Sequence, residues 1–409
     1  MIYLIPIILL FYGIVKYDYL NHVRGKLFFW IFICISLAVI AGLRYKLGED
    51  TLYYLHAYNK IKPLNTISLD DFQNSRYAPG FIVLFSFFKM LTPEMLAFQL
   101  FQALVVNTIF FYFIYKNCRH IFFAGLLYYV FMYILMSFLQ LREALAVSVF
   151  LLAWPAFKQG KWLWWYLAAF VAFSFHLSAM IMFLLPLICL PKIRLAFTYG
   201  KQTWIIILVV LVTGYVLNVI FFKYIELLSF TEAMRERAEA YDKDKLGGAI
   251  LNFKGIMSQL VEYIIYPMIA LYFVNRNRIE EKLEKTFNKV QALVLINTFI
   301  VVFSFFISIA LRLTNYFFPF VIIFLGDWIF SVIKYKGKLI RLGLITWIIF
   351  FLPMLVAHGY GLSYGKINKS GTLRAYMLYY PYSSYFDKSN DQDREKAIRY
   401  VFKPKKRSL

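Results

Sequence analysis

Three short strings place polar or charged side chains inside apolar sequence. The first runs Ser137-Phe138-Leu139-Gln140-Leu141-Arg142-Glu143-Ala144-Leu145-Ala146. The second, Phe173-Ser174-Phe175-His176-Leu177-Ser178-Ala179, centres on a histidine, and the third, Ala310-Leu311-Arg312-Leu313-Thr314-Asn315-Tyr316-Phe317, on an arginine. A fourth group follows the apolar run 27–43 and carries Arg44, Glu49 and Asp50. Arginine presents a planar fork that pairs bidentately with phosphate oxygens. Histidine exchanges a proton near neutral pH. A carboxylate can act as the base that takes a proton from a substrate hydroxyl.

Each residue also has a structural alternative. Asp50 suits the N-cap of the segment that follows it. Arg44 could be an interfacial anchor. Arg142 could pair with Glu143 or Glu262. His176 could be a helix-end histidine bonded to backbone, and Arg312 a helix C-terminal cation. What separates the alternatives is position. An arginine at the centre of a spanning helix costs about 2.5–3.5 kcal/mol, so such a residue faces a cavity or marks a path.

The elements that must position these groups are membrane helices. Of 409 residues, 61% are hydrophobic and 21% aromatic, and apolar runs recur from end to end. That composition predicts an all-α, polytopic helical bundle rather than a soluble domain or a β-barrel. About twelve spans are expected, near 2–15, 27–43, 95–115, 121–139, 143–157, 162–175, 177–190, 203–222, 255–274, 289–310, 315–333 and 343–358. Met1–Val15 lacks the basic start and small-residue site of a cleavable leader. Cys34, Cys118 and Cys189 are scattered and suggest neither a disulfide framework nor a metal site.

Short basic loops at 16–26, 116–120, 158–161, 192–201, 275–289 and 334–341 set the orientation. The positive-inside rule places all six in the cytoplasm. The alternation works if the apolar piece 80–92 is re-entrant or interfacial. Arg44, Arg142, His176 and Arg312 then fall near the outer face, as do the loops 44–79 and 223–254 and the segment 359–409. The bundle is therefore expected to carry an outer-face cavity. The net charge of +22 is mainly orientation signal and gives no reason to invoke nucleic acid. The basic tail, from Lys388 to Arg407, is read as lying on anionic headgroups.

Several chemistries have no support. There is no Walker-type phosphate loop, no Gly-x-Ser-x-Gly, and no His, Cys and carboxylate set at metal-binding spacing. No cofactor is expected. Tyrosines of the first outer loop (Tyr45, Tyr53, Tyr54, Tyr58, Tyr77) and of the tail (Tyr376, Tyr379, Tyr380, Tyr382, Tyr385) could stack on sugar rings, with an interfacial aromatic belt as the plainer role. Thr231–Lys245 reads as a solvated outer helix that could serve as a lid.

The ordered motifs resemble a known family. Gly42-Leu43-Arg44-Tyr45 with Gly48-Glu49-Asp50-Thr51 is followed by Tyr77-Ala78-Pro79-Gly80-Phe81, Arg142-Glu143-Ala144-Leu145-Ala146, the basic turn Lys158-Gln159-Gly160-Lys161, Phe175-His176-Leu177-Ser178-Ala179, Arg312-Leu313-Thr314-Asn315-Tyr316-Phe317 and Tyr380-Pro381-Tyr382-Ser383-Ser384. This order resembles the EpsG-like family of exopolysaccharide polymerases, related in function to Wzy polymerases. The chain departs from that pattern at Ala78, where a glutamate is common, and at Glu143, where a glutamine is frequent.

The resemblance implies a glycosyltransferase that joins lipid-linked oligosaccharide repeat units on the outer face of the cytoplasmic membrane. The growing glycan would pass from undecaprenyl pyrophosphate to an acceptor unit, in exopolysaccharide, capsule or O-antigen biosynthesis. Arg142 and Arg312 would bind the pyrophosphate, with Arg44 assisting. The base would be Glu49, Asp50 or His176. The expected partners are the undecaprenyl-pyrophosphate-linked substrates, the bilayer, and a chain-length regulator and flippase of the same pathway. The polymerase domain would be 1–358, with 359–409 an outer-face tyrosine-rich segment and tail. The rivals are a polyprenyl-phosphate-sugar-dependent glycosyltransferase and a lipid-linked oligosaccharide flippase.

Overall fold

The computed structural model describes residues 2–73, 75, 77–190, 200–228, 264–265, 267–269, 271, 281–334, 366–367, 371–388 and 392–402. Among them there are helices and two isolated antiparallel bridges, Arg44 with Ser384 and Lys366 with Arg374, but no strand. An apolar chain favours this outcome, because a helix satisfies its backbone polar groups internally. The α-helices are α1 (Leu4–Gly13), α2 (Lys26–Gly42), α3 (Thr51–Lys60), α4 (Leu69–Gln73), α5 (Pro79–Leu91), α6 (Leu96–Asn117), α7 (Ile121–Tyr128), α8 (Leu141–Lys158), α9 (Trp162–Phe175), α10 (Ile181–Leu184), α11 (Lys201–Leu228), α12 (Glu281–Ser304), α13 (Thr314–Lys334) and α14 (Gln392–Phe402).

The chain divides into two compact units. Unit 1 joins Met1–Phe183 with Leu355–Leu409, and unit 2 is Leu184–Met354. The described part of the C-terminal segment thus belongs with the N-terminal helices. In unit 2, α12 and α13 pack against each other and are joined through the 3-10 segment Ser308–Leu313.

By length and apolar composition, Leu96–Asn117 and Ala310–Ile329 can cross a bilayer, and shorter apolar helices accompany them, among them Lys26–Gly42, Trp162–Phe175 and Lys201–Leu217. These helices fit a membrane protein, but they do not establish twelve spans. A fourteen-residue helix such as α9 is only about 21 Å long, against a hydrocarbon core of about 30 Å. The predicted spans 255–274 and 343–358 lie largely and wholly outside the described residues, as does the proposed lid 231–245.

Unit 1 has two distinct ends, set by α2. That helix has 17 residues and so runs about 25 Å. At its Lys26 end the chain's basic turns gather. Asp18 accepts hydrogen bonds from the Phe122 and Phe123 amides (3.0 Å each), and Lys158 Nζ donates to Asn117 Oδ1 (3.2 Å). The loops 16–26, 116–120 and 158–161 therefore share one end. The Gly42 end leads into Arg44.

The helix that precedes α8 is underwound and then broken. Residues Tyr129–Tyr133 and Leu135–Leu139 are π-helical, and the chain turns at Gln140 (φ −96°, ψ 55°) before α8 begins at Leu141. Buried polar side chains of α6 support this irregular backbone. Gln102 Nε2 donates to the Met136 carbonyl (3.1 Å), and Asn107 Nδ2 donates to Ser137 Oγ (3.2 Å). Within apolar surroundings, irregular backbone persists where such partners exist.

α5 lies across the start of α6. Its Phe81, Phe85 and Phe88 rings meet Phe98, with centroids 4.5–5.8 Å apart, and Phe88 also meets Phe101 at 5.0 Å. With 13 residues it measures about 20 Å, short of a bilayer core.

Candidate active site

Arg142 enters the site because the helix breaks at Gln140. The break puts Arg142 in the first turn of α8, beside Glu143. Two tyrosines hold its guanidinium. The carbon Cζ sits 4.6 Å from the centroid of Tyr77, and the Tyr54 phenol is within hydrogen-bonding reach. Tyr54 and Tyr77 stack on each other with centroids 6.4 Å apart. Arg142 is half-buried, its Nε meets no acceptor, and it makes no ion pair among the described residues. The pairing with Glu143 considered from sequence is not made, because that carboxylate turns to Ser178 instead.

The loop from Arg44 to Asp50 reaches the same place by a tight fit. Gly48 has φ +102°, and a Cβ there would sit 3.2 Å from the Phe138 carbonyl oxygen. Only glycine meets both conditions without strain. The close approach lays Glu49 and Asp50 beside the break that launches α8. Asp50 occupies the N-cap position of α3, as its type predicts, but its side chain makes no capping bond. The capping explanation for this carboxylate therefore fails on geometry. Glu49 and Asp50 are open to solvent. Yet protein crowded around Glu49, and secondarily the Asp50 charge, raise the Glu49 pKa above the ordinary carboxylate value.

Arg44 is placed differently from an interfacial anchor. It is 2% exposed, its Nη1 donates to the Ala41 carbonyl at the end of α2, and its Cζ lies 4.9 Å from the Phe138 ring centroid. Its Nε has no partner. Burial lowers its pKa to about 10, so it remains charged at neutral pH. Tyr54 lies in the field of both arginines. Arg44 is thus a buried cation, whereas Arg142 is only half-buried.

His176 ends α9 with extended backbone (φ −154°, ψ 135°). Its Nδ1 accepts from the Ser178 amide at 3.3 Å and lies 2.6 Å from Ser178 Oγ. The backbone-bonded role considered from sequence is therefore present. Ser178 Oγ in turn lies 3.4 Å from Glu143 Oε1. Histidine, serine and the first turn of α8 are thus linked. Gly80 is pressed against Ser174, which brings the Pro79-Gly80 turn to the same end of α9.

Arg312 lies in unit 2. It is exposed, in the last turn of the 3-10 segment Ser308–Leu313, which agrees with the helix-end cation alternative.

One basic residue of the tail differs from expectation. Arg394 does not lie on headgroups. It is 3% exposed and donates to Ser383 Oγ (2.6 Å), to the Met377 carbonyl (3.3 Å) and to the Pro381 carbonyl. Glu395 pairs with Lys46 at 2.8 Å. Ala397 and Ile398 are fully buried, so α14 is docked on its apolar face. Nor are Tyr54, Tyr58 and Tyr379 an exposed belt, since all three are buried.

Sequence reasoning missed three things. Tyr54 and Tyr77 seat Arg142, Glu143 reaches the histidine turn through Ser178, and the C-terminal segment braces the loop at Arg44. Only the second left a local signal, a serine two residues after the histidine.

Apolar, membrane-length helices fit a membrane protein. The EpsG family model matches residues 27–390, and the chain belongs to the EpsG family. The match spans Arg44, Glu49, Asp50, Arg142, His176 and Arg312. Comparison with curated proteins and with solved structures returns no match. Family membership supports a polysaccharide-polymerase-like role on a lipid-linked saccharide.

Proposed function

We propose that this protein polymerises lipid-linked oligosaccharide repeat units on the outer face of the cytoplasmic membrane. The acceptor hydroxyl oxygen attacks the anomeric carbon of the donor glycan. The bond from that carbon to the pyrophosphate oxygen breaks, the hydroxyl proton passes to a base, and undecaprenyl pyrophosphate leaves. The donor is already activated, so the reaction needs no nucleotide.

The observation that carries this reading is Arg142. It is seated by two tyrosines, without a carboxylate partner among the described residues, and the Tyr54 phenol that meets it also feels the Asp50 charge. A fixed arginine fork suits a pyrophosphate leaving group and is most effective where its geometry is set in advance. Arg44 adds its field, and Arg312 is a further phosphate-binding cation in unit 2. Glu49 or Asp50 takes the acceptor proton. His176, held by Ser178, donates to a phosphate oxygen or serves as the alternative base.

The test is deletion of the gene followed by separation of lipid-linked glycans by size. Single repeat units accumulating on the outer leaflet are expected. Unchanged chain length would overturn the proposal. Accumulation on the inner leaflet would favour a flippase, and dependence on a polyprenyl monophosphate donor the rival glycosyltransferase.

A further inference from the structure

Tyr379 has no part in the site as described so far. It belongs to the C-terminal segment, which the sequence sets more than three hundred residues from Glu49. The fold brings the two together through backbone. The Gly48 amide donates to the Leu378 carbonyl at 3.0 Å, so the antiparallel association of the two segments, bridged at Arg44 and Ser384, sets Tyr379 against the loop that carries Glu49. Tyr45 continues the association by donating its amide to the Ser383 carbonyl at 2.9 Å. On its other side the Tyr379 carbonyl accepts from the Tyr3 hydroxyl at 3.0 Å. The ring is therefore fixed from two directions.

Its hydroxyl is the anomaly. Tyr379 is 7% exposed, and its phenol oxygen is buried with no hydrogen-bond partner among the described residues. Leaving a buried hydroxyl unsatisfied is costly. Phenylalanine would fill the same space without that cost. The phenol also feels both carboxylates: burial first, then Glu49 and Asp50, push its pKa upward, so it stays protonated as a donor.

We infer that Tyr379, with Glu49 and Asp50, forms a carbohydrate subsite that binds hydroxyl groups of the acceptor glycan. The chemistry fits a polyol. The phenol donates to a sugar oxygen, and the carboxylates accept from sugar hydroxyls. This inference rests on the proposed function for the identity of the ligand, while the clamp at Arg142 and the subsite at Tyr379 make separate contacts.

The test uses the purified full-length protein in lipid nanodiscs and two probes. One is the repeat-unit oligosaccharide released by mild acid from the lipid-linked intermediates of the deletion strain. The other is inorganic pyrophosphate. Tyr379→Phe is expected to weaken oligosaccharide binding about three- to ten-fold, the worth of one hydrogen bond, and to leave pyrophosphate binding unchanged. Its thermal midpoint is expected to equal or exceed that of the parent, because an unsatisfied hydroxyl has been removed. A purely structural tyrosine would instead lower the midpoint. Parent-like oligosaccharide binding by the variant, absence of oligosaccharide binding by the parent, or a lowered midpoint with unchanged binding would overturn the inference. Loss of pyrophosphate binding in the parent, with the oligosaccharide effect intact, would remove the pyrophosphate clamp and leave the subsite standing.

Discussion

The two ends of unit 1 each bury a charge at a helix terminus, and they treat it differently. At one end Asp18, 2% exposed, sits at the N-terminus of α7 and accepts from the Phe122 and Phe123 amides. Its second oxygen faces Lys26 Nζ at 3.6 Å. At the other end Arg44, equally buried, donates to the C-terminal carbonyl of α2 at Ala41. Both signs suit the helix dipole. Among the described residues only Asp18, however, has an opposite charge beside it. Arg44 and Arg142 each leave Nε without an acceptor and have no carboxylate partner among the described residues. A buried charge that the fold neutralises is holding structure. A pair of buried or half-buried cations that it leaves unneutralised favours an anion that comes from elsewhere.

That contrast predicts opposite phenotypes, and Arg142 carries the largest. Arg142→Ala should lower polymerisation by about a hundred- to a thousand-fold, the usual loss when a fixed charge stabiliser of a transition state is removed. Folding and membrane level should hold. Arg142→Lys keeps the charge and loses the fork, so a large part of the loss should remain. Normal polymer from the lysine variant would show that geometry at this residue does not matter.

Asp18→Ala should do the reverse. It leaves two amides uncapped and Lys26 without its counter-ion, at a cost of about 1–2 kcal/mol. The thermal midpoint in detergent should fall by several degrees, while the rate per folded molecule stays near normal. A loss of rate at unchanged midpoint would mean that the basic end takes part in the chemistry. The Asp18 pKa is pushed up to about 6, chiefly by burial. Its folded value therefore lies above its unfolded one. The stability it contributes is full below the unfolded pKa of about 4 and is lost as pH rises through about 6. The Asp18→Asn variant should lack that decline.

How much of this was legible in advance differs between the two ends. Helices, the basic turns and the interruption near Arg142 follow from composition and charge spacing, because membrane insertion imposes them locally. The resemblance to a family was legible as well. The fit of Gly48 against Phe138, the seating of Arg142 by Tyr54 and Tyr77, and the reach of Leu378 to Gly48 are long-range pairings, and apolar periodicity does not encode them. Arg394 shows the limit most clearly. In a run of basic tail residues it looks like a headgroup ligand, yet it is buried and bonded to three groups of its own segment.

Arg44→Met gives a smaller effect and tests the contrast directly. An apolar side chain of similar volume removes an unneutralised buried cation, and such replacements are often neutral or stabilising. It also removes one donor from the end of α2, worth about 0.5–1.5 kcal/mol. The two terms oppose, so stability should change little. Polymerisation should fall about ten-fold as the supporting charge is lost. A collapse in stability would assign Arg44 to the same structural class as Asp18.

The smallest expected effect concerns Glu49 and identifies the base. Surrounding protein raises its pKa first, and the Asp50 charge raises it further. A general base works as the carboxylate, so the acid limb of kcat/KM should lie above the range of an ordinary glutamate. Asp50→Asn removes the like charge and lowers the Glu49 pKa, so the limb should move to lower pH by less than about one unit. The same change should stabilise the fold slightly at pH values where both groups are ionised, because a repulsion is gone. If the limb stays in place while Asp50→Asn loses most of the rate, Asp50 and not Glu49 takes the proton. If it stays in place at full rate, neither carboxylate sets the limb, and the base must be sought at His176, whose ring Ser178 holds.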